Sequence, residues 1–205
     1  MSEAAGHTAG NDAGPKPCII IVAAPSGSGK SSLAARLMTA LPQIRFSVSA
    51  TTRAPRGEEK DGEAYHFLST EDFREAIAAD RLLEYEEVYP GRYYGTLRSE
   101  VERSSVMHPV LLDVDVVGAL NVKEQYDKRC LAIFVKAPSM AVLEERLRSR
   151  GTDDEATIRT RLDKAAYEMS FEGSFDRSIV NDDLDTAATA LIHLTRSFLN
   201  ACSNE

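Results

Sequence analysis

The chain has 205 residues, of which 43% are hydrophobic and 27% charged, an ordinary composition for a soluble globular protein with one α/β domain. Its formal net charge of -8 argues against a nucleic-acid partner, because such proteins usually present a basic surface to the phosphates. No apolar run approaches the roughly 20 residues that span a bilayer, so no membrane association is expected. Residues 1–16 are small and polar, which predicts a disordered leader.

The first predicted elements are a strand and a helix joined by a glycine-rich turn. The run CIIIVAA at 18–24 is continuously apolar and β-branched, which is typical of a strand buried on both faces of a parallel sheet. The turn PSGSG follows, and the segment 30–41 predicts a helix with Leu33, Leu37 and Leu41 on one face. A strand, a glycine turn and a helix in this order open a βαβ unit.

The segment 46–96 differs from its surroundings. It alternates short β-like pieces with turns, and its first 50 residues, 46–95, contain five of the seven tyrosines. We predict an inserted, mostly antiparallel β-subdomain with a short helix near 71–79.

Strands and helices alternate again after residue 97. The predicted strands are 110–116, 130–137 and the short 177–183, and the predicted helices are 117–126, 139–150, 153–171 and 185–201. Ser139 is the predicted N-cap of its helix. The charged, glycine-containing segment 148–155 predicts the hinge of a mobile lid that spans about 146–162. The alternation predicts a three-layer α/β fold of the P-loop NTPase type with a mainly parallel sheet.

The glycine turn carries the first chemical signal. Residues 24–32, APSGSGKSS, match the phosphate-binding pattern G-x-x-x-x-G-K-[ST], except that Ala24 replaces the first glycine. Backbone N–H groups around the glycines and the N-terminus of the following helix bind phosphate oxygens. Lys30 is expected to reach the β- and γ-phosphates, and the Ser31 hydroxyl is expected to bind Mg²⁺. The alternative is a glycine-rich turn with an incidental lysine.

Two arginines form a second candidate for phosphate binding. Arg53 and Arg56 lie three apart in a proline-containing turn, beside hydroxyl residues, and two guanidinium groups there suit a phosphate dianion. Tyr65 and Tyr94 can add phenolic donors. The alternative is a solvated basic turn that pairs with the acidic residues at 58–61.

Four acidic residues, Glu59, Glu84, Asp113 and Asp115, are candidates for base recognition. A carboxylate accepts hydrogen bonds from the N1–H and N2–H₂ donors of guanine, a donor pair that adenine lacks. Glu84 lies in an apolar and aromatic run, and Asp113 and Asp115 fall near the carboxyl end of a predicted core strand. Salt bridges between Glu59 or the other three carboxylates and neighbouring arginines remain an alternative.

Several of these segments together resemble one known family. The segments APSGSGKSS, SATTRAPRGEEKDGEAYHF, LLEYEEVYPGRYYGT, LLDVDVVG, ERLRSRGTDDEATIRTRL and IVNDDLD, in this order, resemble guanylate kinases from about residue 18 to residue 200. The resemblance implies transfer of the γ-phosphoryl group of ATP, with Mg²⁺ as cofactor, to GMP and also to dGMP. Thr96 stands where many members have serine and keeps the hydroxyl group.

The resemblance also implies roles for individual residues. Arg53, Arg56, Tyr65 and Tyr94 would hold the GMP phosphate, whereas Glu84 and Thr96 would recognise guanine. The implied ATP-binding residues are Ala24, Pro25, Ser26, Gly27, Ser28, Gly29, Lys30, Ser31, Ser32 and Asn181. The implied GMP-binding residues are Ser49, Arg53, Arg56, Glu59, Tyr65, Glu84, Tyr94, Thr96, Asp113 and Asp115. The implied catalytic residues are Lys30, Arg53, Arg146, Arg150 and Arg161, and Asp113 is a candidate for binding Mg²⁺ through water.

The domain organisation follows from the same comparison. We expect one guanylate-kinase-like domain at 17–205, with a core at 17–45 and 97–205 and a GMP-binding insert at 46–96. We also expect a cytoplasmic protein, since its three cysteines are odd in number, widely spaced and form no CxxC pair. The expected oligomeric state is a monomer or a homodimer. The competing hypotheses are a catalytically silent interaction module and a related P-loop kinase with another acceptor.

Overall fold

The computed structural model describes residues 17–149, 151 and 153–204, so the predicted leader at 1–16 lies outside the described residues. Its strands form two sheets. Strands and helices follow in the order β1 Ile19–Ala23, α1 Lys30–Ala40, β2 Arg45–Phe46, β3 Ala50–Thr51, β4 His66–Phe67, α2 Thr70–Ala78, β5 Leu82–Tyr89, β6 Arg92–Leu97, α3 Arg98–Glu102, β7 Val110–Leu112, α4 Val116–Tyr126, β8 Cys130–Lys136, α5 Met140–Ser149, α6 Glu155–Met169, β9 Arg177–Val180 and α7 Leu184–Ser203. No helix in these ranges is both long and apolar enough to cross a membrane.

The larger sheet has the order β2-β7-β1-β8-β9, and all its neighbouring strands are parallel. Side chains on one face of β1, such as Ile20, pack with α1 and α7. Those on the other face, such as Ile21, pack with α4. Because both faces are covered, all five residues of β1 are buried, which explains the continuous apolar run. The predicted α/β fold with a mainly parallel sheet is confirmed.

The smaller sheet belongs to the predicted insert and has the order β4-β3-β6-β5. Its β3–β6 and β5–β6 pairs are antiparallel, whereas β3 and β4 are parallel. Helix α2 covers one face with Phe73 and Ala76, and the Ser69 side chain accepts a hydrogen bond from the Asp72 backbone at 3.0 Å as its N-cap.

The chain crosses between the sheets just after β2. Phe46, the first residue of the predicted insert, pairs with Leu111 in the core sheet, and the Ser47 N–H donates to the Leu111 carbonyl at 2.9 Å. The first strand of the smaller sheet begins at Ala50. The crossover is therefore three residues long and brings the smaller sheet beside the carboxyl ends of the core strands.

One predicted strand is too long. The prediction of a strand at 110–116 is wrong in its second half, because β7 ends at Leu112. The Asp115 carboxylate accepts a hydrogen bond from the Gly118 N–H at 2.7 Å and caps α4, which starts at Val116. Asp113 and Asp115 thus lie in a loop at the carboxyl edge of the sheet, where ligands of open α/β sheets bind.

The three cysteines are free and buried, as the sequence predicted for Cys18 and Cys130. Burial raises the pKa of Cys18 and that of Cys130 to about 12, so both thiols are protonated at neutral pH. These thiols serve as small apolar core groups.

Candidate active site

The turn between β1 and α1 is shaped to receive an anion. Gly27 and Gly29 have φ angles of +95° and +91°, a left-handed conformation that other residues rarely adopt. Helix α1 starts at Lys30, and no side chain caps its N-terminus. Its first N–H groups are therefore available to an anionic ligand, which the positive end of the helix dipole also attracts.

A cavity of about 410 Å³ lies over this turn. Eight of the nine residues at 24–32 line it, whereas Ser28 is 1% exposed and faces away. The Lys30 ammonium group forms an ion pair with the Asp113 carboxylate. The complete lining is Ala24, Pro25, Ser26, Gly27, Gly29, Lys30, Ser31, Ser32, Asp113, Val114, Asp115, Arg161, Lys164 and Glu168.

A second cavity of about 140 Å³ lies between the core loop after β7 and the smaller sheet. It shares the segment Asp113, Val114 and Asp115 with the first cavity, so the two are adjacent. Its lining is Phe46, Ser47, Ser49, Ala64, Tyr65, Glu84, Glu86, Tyr94, Gly95, Asp113, Val114 and Asp115. Six of the ten residues predicted for an acceptor site are in that set.

Glu84 lines the smaller cavity, and buried Thr96 lies behind it without lining the cavity itself. They are cross-strand neighbours on β5 and β6, and the Thr96 hydroxyl donates to Glu84 Oε1 at 2.7 Å. Burial raises the pKa of Glu84, and the nearby Asp115 carboxylate raises it further. A Cβ atom at Gly118 would lie 2.8 Å from Glu84 Oε2, so the absence of a side chain there leaves room for the carboxylate.

Glu59 organises the two arginines of the basic turn. Arg53 donates from both terminal nitrogens to the Glu59 carboxylate, at 2.8 and 3.0 Å, and the Arg56 backbone N–H donates to the same carboxylate at 2.8 Å. The Arg53 guanidinium carbon also lies 5.2 Å from the centre of the Tyr65 ring. The salt-bridge alternative is therefore realised at Glu59, in a position that holds Arg53 beside the smaller cavity.

Of the three predicted lid arginines, two are described. Arg161 of α6 donates to the Ser26 hydroxyl at 2.9 Å and contacts Asp153 at 3.3 Å. Arg146 of α5 donates to the Asn181 carbonyl at 2.9 Å, outside both cavities. Arg150 lies outside the described residues.

Asn181 lies beneath the phosphate loop and does not line the large cavity. The residue is 5% exposed, and its side-chain amide nitrogen donates to the Ser28 carbonyl at 2.7 Å. The loop is thereby tied to the end of β9.

Sequence reasoning missed Lys164 and Glu168, which line the large cavity together with Arg161. The three residues share one face of α6 because they are spaced by three and four positions, and that periodicity was the available signal. Glu168 is only 7% exposed, and burial raises the pKa of its carboxyl group. The Lys164 ammonium group lies 3.9 Å from its carboxylate.

Comparison with known proteins shows one family to which the chain is similar. A family model described as guanylate kinase matches residues 16–197. A guanylate kinase of Salinibacter ruber is 51% identical over 89% of this chain and 97% of its own length, and one of Porphyromonas gingivalis is 49% identical over 88% and 97%. A crystal structure of guanylate kinase from Anaplasma phagocytophilum superimposes with a TM-score of 0.66 at 31% identity, over 88% of this chain and 85% of that chain.

Proposed function

The chain belongs to the guanylate kinase family, and on that premise we propose that it transfers the γ-phosphoryl group of MgATP to GMP, giving ADP and GDP, and to dGMP, giving ADP and dGDP. The observation that supports this most directly is the shared wall of the two cavities, formed by Asp113, Val114 and Asp115. A donor in the larger cavity and an acceptor in the smaller one would meet at that wall.

The reaction places its main demand on position and charge. An anionic phosphate oxygen of GMP attacks the γ-phosphorus of ATP, and the bond from that phosphorus to the β,γ-bridging oxygen breaks as ADP leaves. Because the nucleophile is already deprotonated, no general base is needed. Catalysis then depends on bringing two polyanions together in line and on neutralising their charge.

The donor side is assigned to the phosphate loop. The free N–H groups at the start of α1 and the Lys30 ammonium group would bind the β- and γ-phosphates, and Lys30 would exchange its Asp113 partner for them. Arg161, which contacts Ser26 of the loop, would cover the transferring group from the lid. Closure of the lid would also keep water from accepting the phosphoryl group.

The acceptor side is assigned to the smaller sheet. The Glu84 carboxylate would accept from the N1–H and N2–H₂ groups of guanine, and Thr96 would fix its orientation. Arg53, Arg56, Tyr65 and Tyr94 would hold the phosphate, and Glu59 would keep the arginines in place. We propose residues 46–96 as the GMP-binding region and about 146–162 as the lid.

Ser31 and Asp113 suit a magnesium ion bound mainly by phosphate. Both line the larger cavity and offer oxygen, the donor that Mg²⁺ prefers, and Mg²⁺ sites in kinases take few protein ligands. In the described part of the chain no group of three or more His, Cys, Asp and Glu residues is close enough to hold a metal alone. When bound, the ion would supply positive charge that neutralises the charge developing on the phosphates.

Chelation tests the metal requirement. We expect excess EDTA to reduce ADP formation from ATP and GMP to background, because the phosphates then lose their main counterion, and excess MgCl₂ to restore it. ADP should be separated and quantified by chromatography, because enzymes that couple ADP formation also need Mg²⁺ and would fail in EDTA. Full activity in EDTA would contradict the proposed role of Mg²⁺.

We propose that the protein is cytoplasmic and acts in purine nucleotide metabolism. Its three free, buried cysteines support the location, because free thiols are typical of reducing compartments. The relatives compared above all carry the name guanylate kinase, which favours the enzyme over a silent interaction module.

A further inference from the structure

Asn181 connects three parts of the protein around the phosphate loop. Its side-chain nitrogen donates to the Ser28 carbonyl at 2.7 Å, and its backbone N–H donates to the Lys136 carbonyl at 2.8 Å. Its own carbonyl accepts from Arg146 at 2.9 Å. One residue that is 5% exposed thus links the loop to the ends of β8 and β9 and to α5.

We propose that Asn181 is a positioning residue for the phosphate loop, which acts by holding the Ser28 carbonyl and not by contacting the nucleotide base. The proposal rests on the proposed function only in taking this loop as the triphosphate site. The sequence resemblance implied only that Asn181 is an ATP-binding residue.

The geometry of the peptide bond explains how the hydrogen bond from Asn181 to the Ser28 carbonyl orients the loop. The Ser28 carbonyl and the Gly29 N–H belong to the same planar trans peptide, in which the C=O and N–H vectors point in opposite directions. When Asn181 holds the carbonyl on the buried side, the Gly29 N–H is directed to the opposite side, where Gly29 and Lys30 line the large cavity. Without that hydrogen bond the peptide is free to rotate, and the N–H group is no longer fixed for a phosphate oxygen.

A second observation supports the same role. A Cβ atom at Gly29 would lie 2.2 Å from the Asn181 side-chain nitrogen, a distance that real Cβ contacts do not show. Gly29 also has a φ angle of +91°. The position therefore requires glycine twice, once for its backbone conformation and once for the close approach of Asn181.

The burial of Asn181 and its existing hydrogen bond distinguish a positioning role from contact with the nucleotide base. The Asn181 amide nitrogen is already bonded to the loop, and Asn181 does not line the large cavity. If Asn181 acts through the Ser28 peptide, its loss should weaken binding of the triphosphate itself, with or without an attached base.

The test compares MgATP with magnesium tripolyphosphate, which has no base or ribose. Asn181→Asp keeps the size of the side chain but replaces the donor with an oxygen that repels the Ser28 carbonyl, and Asn181→Ala removes the donor without adding charge. For both variants of the full chain we expect the Kd values of the two ligands to rise by the same factor, about 10- to 100-fold. The Kd of GMP should stay unchanged, and calorimetry measures all three.

Controls make the outcome specific. Asn200→Asp makes the same charge change at an exposed position of α7 and should alter none of the three Kd values. Far-UV circular dichroism and Tm report whether each variant folds, and Asn181→Ala carries the test if Asn181→Asp does not fold. Weaker binding of MgATP with unchanged binding of tripolyphosphate would overturn the proposal in favour of a base contact. Unchanged binding of both would also overturn it.

Tripolyphosphate binding and GMP phosphorylation, measured on the same proteins, distinguish failure of this proposal from failure of the proposed function. If it binds tripolyphosphate and the Asn181 variants lose that binding, but GMP is not phosphorylated, the positioning role stands and the assigned acceptor is wrong. If GMP is phosphorylated but the Asn181 variants bind tripolyphosphate normally, the acceptor stands and the positioning role is wrong.

Discussion

Replacing Lys30 with alanine is expected to lower the turnover of ATP and GMP by at least about 100- to 1,000-fold, the usual cost of removing one group that stabilises transition-state charge. Lys30 is the first residue of α1, lines the large cavity and forms an ion pair with Asp113 there. Its ammonium group would carry the positive charge that the transferring phosphoryl group meets in the closed complex. Arg161 and Lys164 also line this cavity, but they extend from α6 and not from the phosphate loop.

The fold should survive this substitution. The carboxylate left behind, that of Asp113, is 42% exposed, so it is solvated after the loss of its partner, and exposed ion pairs contribute little to stability. Initial rates at saturating ATP and GMP measure the effect, and Tm measures the fold. Lys128→Ala, at an exposed position away from both cavities, is the matched control. Near-wild-type activity of folded Lys30→Ala would contradict the assignment of the phosphate loop as the ATP site.

Replacing Glu84 with glutamine is expected to lower kcat/KM for GMP by about 100-fold or more, because the amide presents a donor where guanine also presents donors. The affinity for MgATP should be unchanged, since Glu84 lines only the smaller of the two nucleotide cavities. Steady-state rates with GMP varied at saturating ATP measure the loss. Glu102→Gln, an exposed residue of α3, makes the same charge change away from the site. A folded Glu84→Gln protein with unchanged kcat/KM for GMP would mean that Glu84 does not recognise guanine.

The pH dependence of GMP binding gives Glu84 a second signature. Burial raises the pKa of its carboxyl group, so the group stays protonated to a higher pH than an exposed glutamate. Guanine needs the ionised form as acceptor, and GMP affinity should therefore increase as pH rises through that raised pKa. The difference in pH dependence between the wild type and Glu84→Gln isolates the contribution of Glu84.

The sequence predicts the elements whose residues carry a continuous signal. The strand at the start of the core is buried on both faces and reads as an unbroken apolar run, and the phosphate loop follows it directly. The short strands β2, β3 and β4 have two residues each, which is too few to show a period, so their partners could not be predicted.

Asp115 shows why local competition is hard to predict. The run VLLDVDV has the composition of a strand, but a side-chain cap on the Gly118 N–H ends the extended structure early. A carboxylate that can cap a helix three residues on competes with strand pairing, and only the packing of α4 on the sheet decides between them.

The site was predicted where single residues have distinctive chemistry and missed where position alone matters. Gly27, Gly29 and Lys30 indicate a phosphate loop in the sequence itself. Lys164 and Glu168 resemble solvated helix residues in the sequence, and only the fold shows that they line the cavity. Asn181 is a residue whose partner, the Ser28 carbonyl, lies 153 positions away in the chain. Such a contact depends on the whole fold.

The most direct test of the central claim is a comparison of phosphoryl acceptors. The purified protein should be assayed with MgATP and GMP, dGMP, AMP, UMP or CMP in turn, with ADP formation followed by a coupled assay. Glu84 as the acceptor for guanine N1–H and N2–H₂ predicts fast reaction with GMP and dGMP and almost none with AMP, UMP and CMP. A strong preference for AMP or UMP would contradict it.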